Sequence, residues 1–269
     1  MIIAGMGKAT LLAITLIVIY LALQKPSEPA PRVQDIKSEP TQAVLSEPKT
    51  SQVQKLKLSL SGVEYQLRLR KLQENEGITL IPNLEKKLSS QEVFSSASCD
   101  FLINGGFYTS SNSPLGLLFL EGKTLSPNIR SGFLNGYLGL SRTGTLSLSS
   151  QAPQDLSGYS FVLQSGPYIS LEDGQPPKFE ETKDRRALVA ENQSGEKYFV
   201  AILEENNYFS GPKLGDLKQL LQLLNQTYSL NLKKAINLDG GSTLAFLQSG
   251  EESIPEIKKV GSFLCLKAD

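Results

Sequence analysis

The chain has 269 residues, of which 27 are basic and 27 acidic, and it contains no histidine and no tryptophan. This neutral balance gives no electrostatic reason to expect a nucleic-acid partner, and the missing imidazole excludes a Ser-His-Asp triad, a Cys-His dyad and a His-ligated zinc site. Any catalysis must therefore depend on carboxylates, Arg, Lys, Tyr, hydroxyls and backbone amides.

The first segment of the chain is a short apolar run. Ala9–Leu23 is apolar apart from two threonines, and Lys8 separates it from the apolar residues 1–7. A run of this length is typical of a secretory signal, whereas a membrane-spanning helix needs roughly 20 residues, which residues 1–7 would help to supply. The absence of obvious small residues at a cleavage spacing favours an uncleaved anchor. We therefore expect residues 1–23 to be a signal peptide or an N-terminal membrane anchor. The rest of the chain is expected to be exported, either anchored on the extracytoplasmic side of a membrane or, after cleavage, secreted or periplasmic.

Residues 24–54 have the composition of a linker. They contain five of the 14 prolines, no glycine and no aromatic residue, and the triplet Ser-Glu-Pro occurs three times. Such a segment buries too little apolar surface to offset its ordering entropy, and its prolines favour an extended spacer. We predict a disordered linker, which either holds the following domain away from a membrane or is simply a tail.

Residues 55–269 are predicted to form one domain, since about 215 residues can bury a sizeable core. Val63–Arg70 alternates apolar and polar residues, which is the pattern of a half-buried strand. Ten further apolar runs are predicted strands: Phe101–Ile103, Leu115–Leu120, Tyr137–Leu140, Thr145–Leu148, Phe161–Leu163, Ala187–Ala190, Tyr198–Leu203, Ala235–Leu238, Leu244–Leu247 and Ser262–Leu266.

Two segments are predicted helices. Leucines at helical spacing mark Lys213–Tyr228, and Leu84–Ser96 shows a weaker pattern of the same kind. Many strands and few helices, not in strict alternation, favour an α+β fold. We predict a single α+β domain with a mixed β-sheet core and few helices.

The chain has two cysteines, Cys99 and Cys265. In an exported protein they would form one disulfide. Both also lie beside apolar strand-like runs, where two buried free thiols fit the pattern equally well. The sequence leaves both alternatives open.

Four short segments place polar residues, most of them beside glycine, at the ends of predicted strands. They are Asn104–Tyr108, Gln164–Pro167, Asp184–Ala187 and Asn237–Thr243. Each alone has an ordinary explanation, because Asn-Gly and Asp-Gly are hairpin signals and Gly-Pro is common in loops. Four such strand ends together are what a site at one edge of a sheet would need.

Taken in order, these segments resemble the phosphodiester glycosidase family. The family pattern is similar to Asn-Gly-Gly-Phe with a downstream Pro-x-Gly, then Gln/Ser-x-Gly-Pro, Arg-x-Ala and Asn-Leu-Asp-Gly-Gly-Gly-Ser. Here these stand as Asn104–Phe107 with Pro114–Gly116, Gln164–Pro167, Arg185–Ala187 and Asn237–Ser242. The resemblance extends over about Leu58 to Leu266. It implies a hydrolase of the glycosidase type, which cleaves the glycosidic C–O bond of a sugar-1-phosphodiester in a glycan or glycolipid phosphate.

Two catalytic residues follow from the chemistry that the resemblance implies. A phosphate leaving group, with a second pKa of about 6, departs as a stable anion and needs positive charge more than a proton. Arg185 would clamp the phosphate through its guanidinium fork, unless it only pairs with Asp184 or Glu181. Asp239 would stabilise an oxocarbenium-like centre or activate water, unless it only caps its own turn.

The predicted substrate-binding residues lie in the same segments. The amides of their four central glycines would form an anion-binding nest, and the rings of Phe107 and Tyr108 would stack on a sugar face. The polar side chains would bind sugar hydroxyls or orient Asp239. The full set is Asn104, Gly105, Gly106, Gln164, Ser165, Gly166, Asn237, Gly240, Gly241, Ser242 and Thr243.

No metal and no cofactor is expected, since the chain lacks histidine, a cysteine cluster and the EF-hand spacing. The expected partners are a sugar-phosphate or glycan substrate and, through the N-terminal segment, a membrane, but not nucleic acid. Two other functions stay open. One is a non-catalytic module that binds carbohydrate or an envelope polymer, and the other is a phosphodiesterase that cleaves the P–O bond.

Overall fold

The computed structural model describes residues 53–172 and 182–268. The predictions for residues 1–23 and for nearly all of the linker therefore lie outside the described residues. The strands are β1 (Gln54–Leu60), β2 (Val63–Lys71), β3 (Glu76–Pro82), β4 (Phe101–Asn104), β5 (Leu118–Leu120), β6 (Lys123–Ser126), β7 (Gly136–Ser141), β8 (Leu146–Ser149), β9 (Tyr159–Ser165), β10 (Tyr168–Ser170), β11 (Arg186–Asn192), β12 (Lys197–Glu204), β13 (Leu232–Asn237), β14 (Phe246–Gln248) and β15 (Ser262–Ala268). The helices are α1 (Ser90–Ser96) and α2 (Leu217–Tyr228), and two 3-10 turns lie at Leu214–Asp216 and Gly241–Thr243.

The strands form three sheets around a shared core. Their orders are β1-β2-β12-β11-β13-β10, β6-β5-β9-β7-β8 and β14-β4-β15-β3. Side chains from all three sheets, among them Phe101, Phe161 and Phe199, meet in one buried cluster. The predicted β-sheet core with few helices is confirmed, although the domain is mostly β and contains less helix than the predicted α+β fold implies.

The prediction of a mixed sheet is wrong. All strand pairs that join the three sheets in the described residues run antiparallel. The chain does cross over through α2 from β12 to β13, a connection that can join parallel strands. However, β11 lies between those two strands and pairs antiparallel with both, so the crossover creates no parallel neighbours.

The two helices cover the outer faces of two sheets. Leu217, Leu220, Leu221 and Leu224 of α2 are fully buried against the six-stranded sheet, as their spacing predicts. Helix α1 is shorter than predicted because Ser89 and Glu92 form a capping box that begins it at Ser90. A helix spanning a membrane is not found in the part of the chain that the structure describes.

Strand β2 differs from the half-buried strand that its sequence predicts. It lies inside the six-stranded sheet, between β1 and β12, so both of its faces are covered. Arg70 is therefore fully buried, where it forms an ion pair with Glu76 and donates to Gln248 Oε1. Alternation shows which residues face outward from a strand, but it does not show whether another layer covers that face.

Cys99 and Cys265 form a disulfide, which decides between the two alternatives that the sequence leaves open. The bond joins residues 166 positions apart, between the start of β4 and strand β15. Both residues belong to the apolar cluster under α1.

Removing this disulfide is expected to destabilise the domain by about 2–5 kcal/mol, because the cross-link restricts a long loop in the unfolded chain. The measurement is urea denaturation of the double variant Cys99→Ala/Cys265→Ala beside the native chain. An unchanged free energy of unfolding would contradict the prediction.

Candidate active site

Four segments meet around the loop that follows β13, residues 237–243. This 237–243 loop touches the ends of β4 and β9 and the start of β11. Four hydrogen bonds tie the segments together: Ser165 Oγ to Asn237 O (2.8 Å), Gly166 N to Asn237 O (2.9 Å), Asp239 N to Gly105 O (3.0 Å) and Gly241 N to Arg185 O (2.7 Å). The structure thus brings together all four polar segments that the sequence singles out.

The 237–243 loop has a defined shape. Leu238 is fully buried and its amide donates to the Ala187 carbonyl (2.8 Å), which anchors the loop in the core. Gly241 has a φ of +61°, a left-handed conformation that favours glycine, and it opens the 3-10 turn Gly241–Thr243. Asp239 is therefore held on a short loop that is fixed at both ends.

Asp239 is the acidic residue of this loop. Solvent reaches the residue, but protein atoms surround its carboxyl group, and this burial raises the pKa of Asp239 to about 7. Hydrogen bonds from the Thr243 hydroxyl and the Gly240 amide oppose the rise, so Asp239 also caps its own turn. A carboxyl group with a pKa near neutrality exchanges protons readily at physiological pH, which is the property of a general acid or base.

Arg185 is fully buried beside the same loop. Its Nε donates to the Gly241 carbonyl (2.8 Å) and its Nη1 to the Pro255 carbonyl (3.4 Å). Its guanidinium carbon lies 5.2 Å from the ring centroid of Tyr208, a cation–π contact. Most of the guanidinium thus supports the loop or interacts with Tyr208, and Nη2 makes no hydrogen bond of good geometry in the described residues.

Replacing Arg185 with Lys is expected to raise KM for the substrate and to lower the melting temperature. Lysine keeps the charge, but its three N–H groups share one nitrogen and cannot span the two carbonyls and a substrate oxygen as the planar guanidinium fork does. The matched control is Arg186→Lys, since Arg186 is also buried but donates to Pro212 and Thr182, away from the loop. That variant should lose stability without a change in KM. Equal KM values for both variants would contradict a substrate role for Arg185.

Asn104 and Ser165 use their polar groups within the protein. The Asn104 side chain donates to the Thr243 carbonyl and accepts from the Ala245 amide, both at 2.6 Å. Ser165, fully buried, donates to the Asn237 carbonyl. Both side chains hold the 237–243 loop, and their assignment to substrate binding stays a prediction.

Gln164 connects two neighbouring loops, the one before β5 and the one between β6 and β7. It is fully buried, and both ends of its amide are in use. Its Oε1 accepts from Leu117 N (2.8 Å) and Ile129 N (3.1 Å), and its Nε2 donates to Ile129 O (2.8 Å) and Leu134 O (2.6 Å). Gln164 thus stabilises the loops that pack against the end of β9 beside the site.

The amide nest expected from four glycines is not available as predicted. The Gly105 amide donates to the Ser262 carbonyl (2.8 Å) and the Gly241 amide to the Arg185 carbonyl. The Gly240 amide donates to the carboxylate of Asp239. These three amides are used within the protein, so the predicted nest of four amides is not present.

The remaining predicted residues border the loop. Ser242 is partly exposed, and its carbonyl accepts from the amides of Ile257 and Lys258 (2.7 and 2.9 Å). Thr243 donates its hydroxyl to the Gly240 carbonyl. The Phe107 ring packs on Phe133, with centroids 5.3 Å apart.

Several buried polar atoms near the loop lack a partner. In the described residues six side-chain nitrogen or oxygen atoms are buried without a hydrogen bond. Four of them belong to this region: Tyr108 Oη, Arg185 Nη2, Asn237 Oδ1 and Ser262 Oγ. Because such atoms destabilise a protein unless something pairs with them, this cluster is suited to a polar ligand.

Sequence reasoning missed two residues of this region. Ser262 begins the apolar strand β15, whose pattern predicts a core strand. The preceding Gly261 is the signal that could have marked it, because a glycine beside a strand allows another group to pack closely on the backbone. Tyr208 lies in the loop after β12, where no motif marks it.

No group of three or more His, Cys, Asp or Glu residues suited to a metal ion occurs within residues 53–172 and 182–268. Glu180 and Glu181, the latter a proposed partner of Arg185, fall outside these ranges.

Comparisons with known proteins agree with this arrangement. A model of the phosphodiester glycosidase family matches residues 97–264. The fold is similar to the catalytic domain of zebrafish N-acetylglucosamine-1-phosphodiester alpha-N-acetylglucosaminidase, solved in a form auto-inhibited by its pro-peptide, with a TM-score of 0.57 and 15% identity over 81% of this chain and 83% of that one.

A hypothetical protein from Synechocystis is also similar, with a TM-score of 0.56 and 13% identity. The alignment covers 81% of this chain but only 62% of that one. A search of curated proteins finds no match. At these identities the structural likeness shows a shared fold.

Proposed function

Since the chain belongs to the phosphodiester glycosidase family, we propose that it hydrolyses a sugar-1-phosphodiester at the glycosidic C–O bond, with Asp239 as the catalytic carboxyl group. One observation carries the proposal. The pKa of Asp239 is raised to about 7 by burial, on a loop surrounded by buried polar atoms without partners. This combination suits proton transfer beside a bound polar substrate.

In the proposed reaction, ionised Asp239 takes a proton from a water molecule as its oxygen attacks the anomeric carbon. The bond between that carbon and the phosphate oxygen breaks, and its electron pair leaves with the phosphate. The products are the free sugar and a phosphate monoester. Because the leaving group is already a stable anion, a second carboxyl group is not needed to protonate it.

Arg185 is proposed to stabilise the departing phosphate. Its Nη2 is buried and without a partner, whereas its other donors are held by the Gly241 and Pro255 carbonyls. A cation fixed in this way needs no reorganisation as negative charge develops on the phosphate. The same contacts keep the 237–243 loop in place.

The proposed substrates are glycan or glycolipid phosphates of the cell envelope. The Cys99–Cys265 disulfide supports an oxidising compartment and therefore export. Attachment to a membrane through residues 1–23 remains part of the proposal. N-acetylglucosamine is the first sugar to test, since it is named in the activity of the structurally similar zebrafish enzyme.

The test is hydrolysis of a panel of methyl phosphodiesters, made from the 1-phosphates of N-acetylglucosamine, glucose, mannose and galactose. Release of reducing sugar is measured at pH 8 with the disulfide intact. We expect turnover of at least one diester. Binding of a diester by calorimetry with no turnover of any would contradict an enzyme and indicate a carbohydrate-binding module.

A further inference from the structure

Two hydroxyl groups near Asp239 have no role in the reaction as described so far. Tyr108 Oη and Ser262 Oγ are both buried, and apart from each other neither has a hydrogen-bonding group within reach in the described residues. The two side chains are close enough for the Ser262 hydroxyl to act on the pKa of Tyr108, and the charge of Asp239 acts on it as well. The two hydroxyls and the carboxyl group therefore share one region.

Two glycines make room for this pair. A Cβ atom on Gly261 would lie 1.9 Å from a ring carbon of Tyr108, so the Tyr108 ring packs directly against the backbone of Gly261. A Cβ on Gly105 would lie 2.2 Å from Ser262 Oγ. Gly105 also accepts the amide of Asp239 (3.0 Å) through its carbonyl. Gly105 thus both leaves room for the Ser262 hydroxyl and holds the 237–243 loop in place.

The pair is uncharged at every physiological pH. Burial raises the pKa of Tyr108 to about 12, with the Asp239 charge adding to the rise and the Ser262 hydroxyl opposing it. Two neutral hydroxyls that can each donate and accept suit a sugar substituent better than a phosphate. The cationic donor, Arg185, instead meets the loop at Gly241.

We propose that the hydroxyls of Tyr108 and Ser262 bind the substituent on the sugar carbon next to the anomeric carbon, and so select sugars that carry a hydrogen-bonding group there. The inference rests on the proposed function. Only if Asp239 faces the anomeric carbon do the two hydroxyls lie beside the substituent on the next sugar carbon. Hydrogen bonds to this position of a sugar strengthen as the oxocarbenium-like transition state forms. Tyr108 and Ser262 therefore act on rate as well as on affinity.

The test pairs two enzymes with two substrates. The substrates are the fastest methyl diester of the panel and its 2-deoxy analogue, and the enzymes are the native chain and Tyr108→Phe. On the parent diester Tyr108→Phe should lower kcat/KM by roughly 10- to 100-fold, the effect of leaving a buried group unpaired. On the 2-deoxy analogue it should lower kcat/KM by less than about 3-fold, because the partner of the hydroxyl is already gone. Each ratio compares the kcat/KM of the variant with that of the native chain on the same diester. The higher intrinsic reactivity of the deoxy sugar therefore cancels.

Stability provides an independent readout. Each hydroxyl has no hydrogen-bonding neighbour in the protein except the other one, so removing either should change the melting temperature by no more than about 2 °C. Ser262→Ala should behave like Tyr108→Phe in both assays. Matched controls are Tyr228→Phe and Ser147→Ala, whose hydroxyls bond the backbone of Lys57 and Gly139 away from the loop. The controls should not change the discrimination between the two diesters.

The outcomes separate the two claims. If the native chain hydrolyses no diester, the proposed function is overturned. If it does, but Tyr108→Phe and Ser262→Ala keep the native discrimination, this inference alone is overturned. A fall of several degrees in the melting temperature of both variants would also overturn it, since the hydroxyls would then be structural.

Discussion

Asp239→Asn is expected to lower kcat/KM for the sugar-1-phosphodiester by at least about 100-fold at pH 8, the lower end of what a positioned base contributes. Burial raises the pKa of Asp239 to about 7, and the proposed base must be ionised. The native kcat/KM should therefore rise with pH through about 7 and level off above it. The residual activity of Asp239→Asn should lack this rise.

The control for this experiment is Asp155→Asn. Asp155 is exposed, and its carboxylate accepts from the amide and hydroxyl of Ser157 in a local turn. This variant should keep both the native rate and the native pH dependence. Near-normal turnover by Asp239→Asn would show that another group is the base, and Asp184, whose Oδ1 lies near Gly241, would be examined next.

The same pKa predicts that Asp239 destabilises the domain above neutral pH. Its pKa rises from 3.8 to about 7 on folding, so between pH 4 and 7 the folded state binds more protons than the unfolded state. The contribution of Asp239 to the free energy of unfolding is fully present below pH 4 and is lost as pH rises through about 7. The full loss corresponds to roughly 4 kcal/mol at 1.36 kcal/mol per unit.

Asp239→Asn should remove this dependence. Relative to the native chain, the variant is expected to gain about 3 kcal/mol between pH 4.5 and pH 8, measured by urea denaturation at both pH values. Asp155 serves again as the control, because its pKa is lowered by hydrogen bonds from the Ser157 amide and hydroxyl. Asp155→Asn should change the pH dependence slightly and in the opposite direction. A native stability that does not fall toward pH 8 relative to Asp239→Asn would contradict the raised pKa.

Most strands could be predicted from the sequence, because short apolar runs separated by glycine and proline leave few alternatives. The predicted run Tyr198–Leu203, for example, lies within β12. Two of the missed strands, β6 (Lys123–Ser126) and β10 (Tyr168–Ser170), are short and lack a clear apolar pattern. The longer strands β1 and β3 were also missed, although both contain apolar residues. Their place depends on long-range pairing, which is not visible in a local window.

Sheet topology could not be predicted in the same way. The helical leucines of Lys213–Tyr228 predict α2 well, but they do not show that β11 separates the strands on either side of the helix. That arrangement depends on which strands pair across the sheet. The mixed sheet was therefore a reasonable but incorrect expectation.

The residues of the candidate site could be predicted as a group but not in their roles. The polar strand ends do converge, but they come from strands of three sheets and not from one edge of a single sheet. Polarity alone, however, does not show whether a side chain faces a ligand or the backbone of the next loop. Gln164 and Asn104 do the second, whereas Ser262, hidden in an apolar strand, keeps a hydroxyl without a partner.

The position of bond cleavage tests the account most directly. The native chain is allowed to hydrolyse its fastest methyl diester in ¹⁸O-labelled water, and the methyl phosphate product, whose oxygens do not exchange with solvent, is examined by mass spectrometry. Attack at the anomeric carbon with Asp239 as base predicts that the methyl phosphate contains no label and that the label enters the sugar hydroxyl. Label in the methyl phosphate would contradict the account, because it would show cleavage of the P–O bond by a phosphodiesterase.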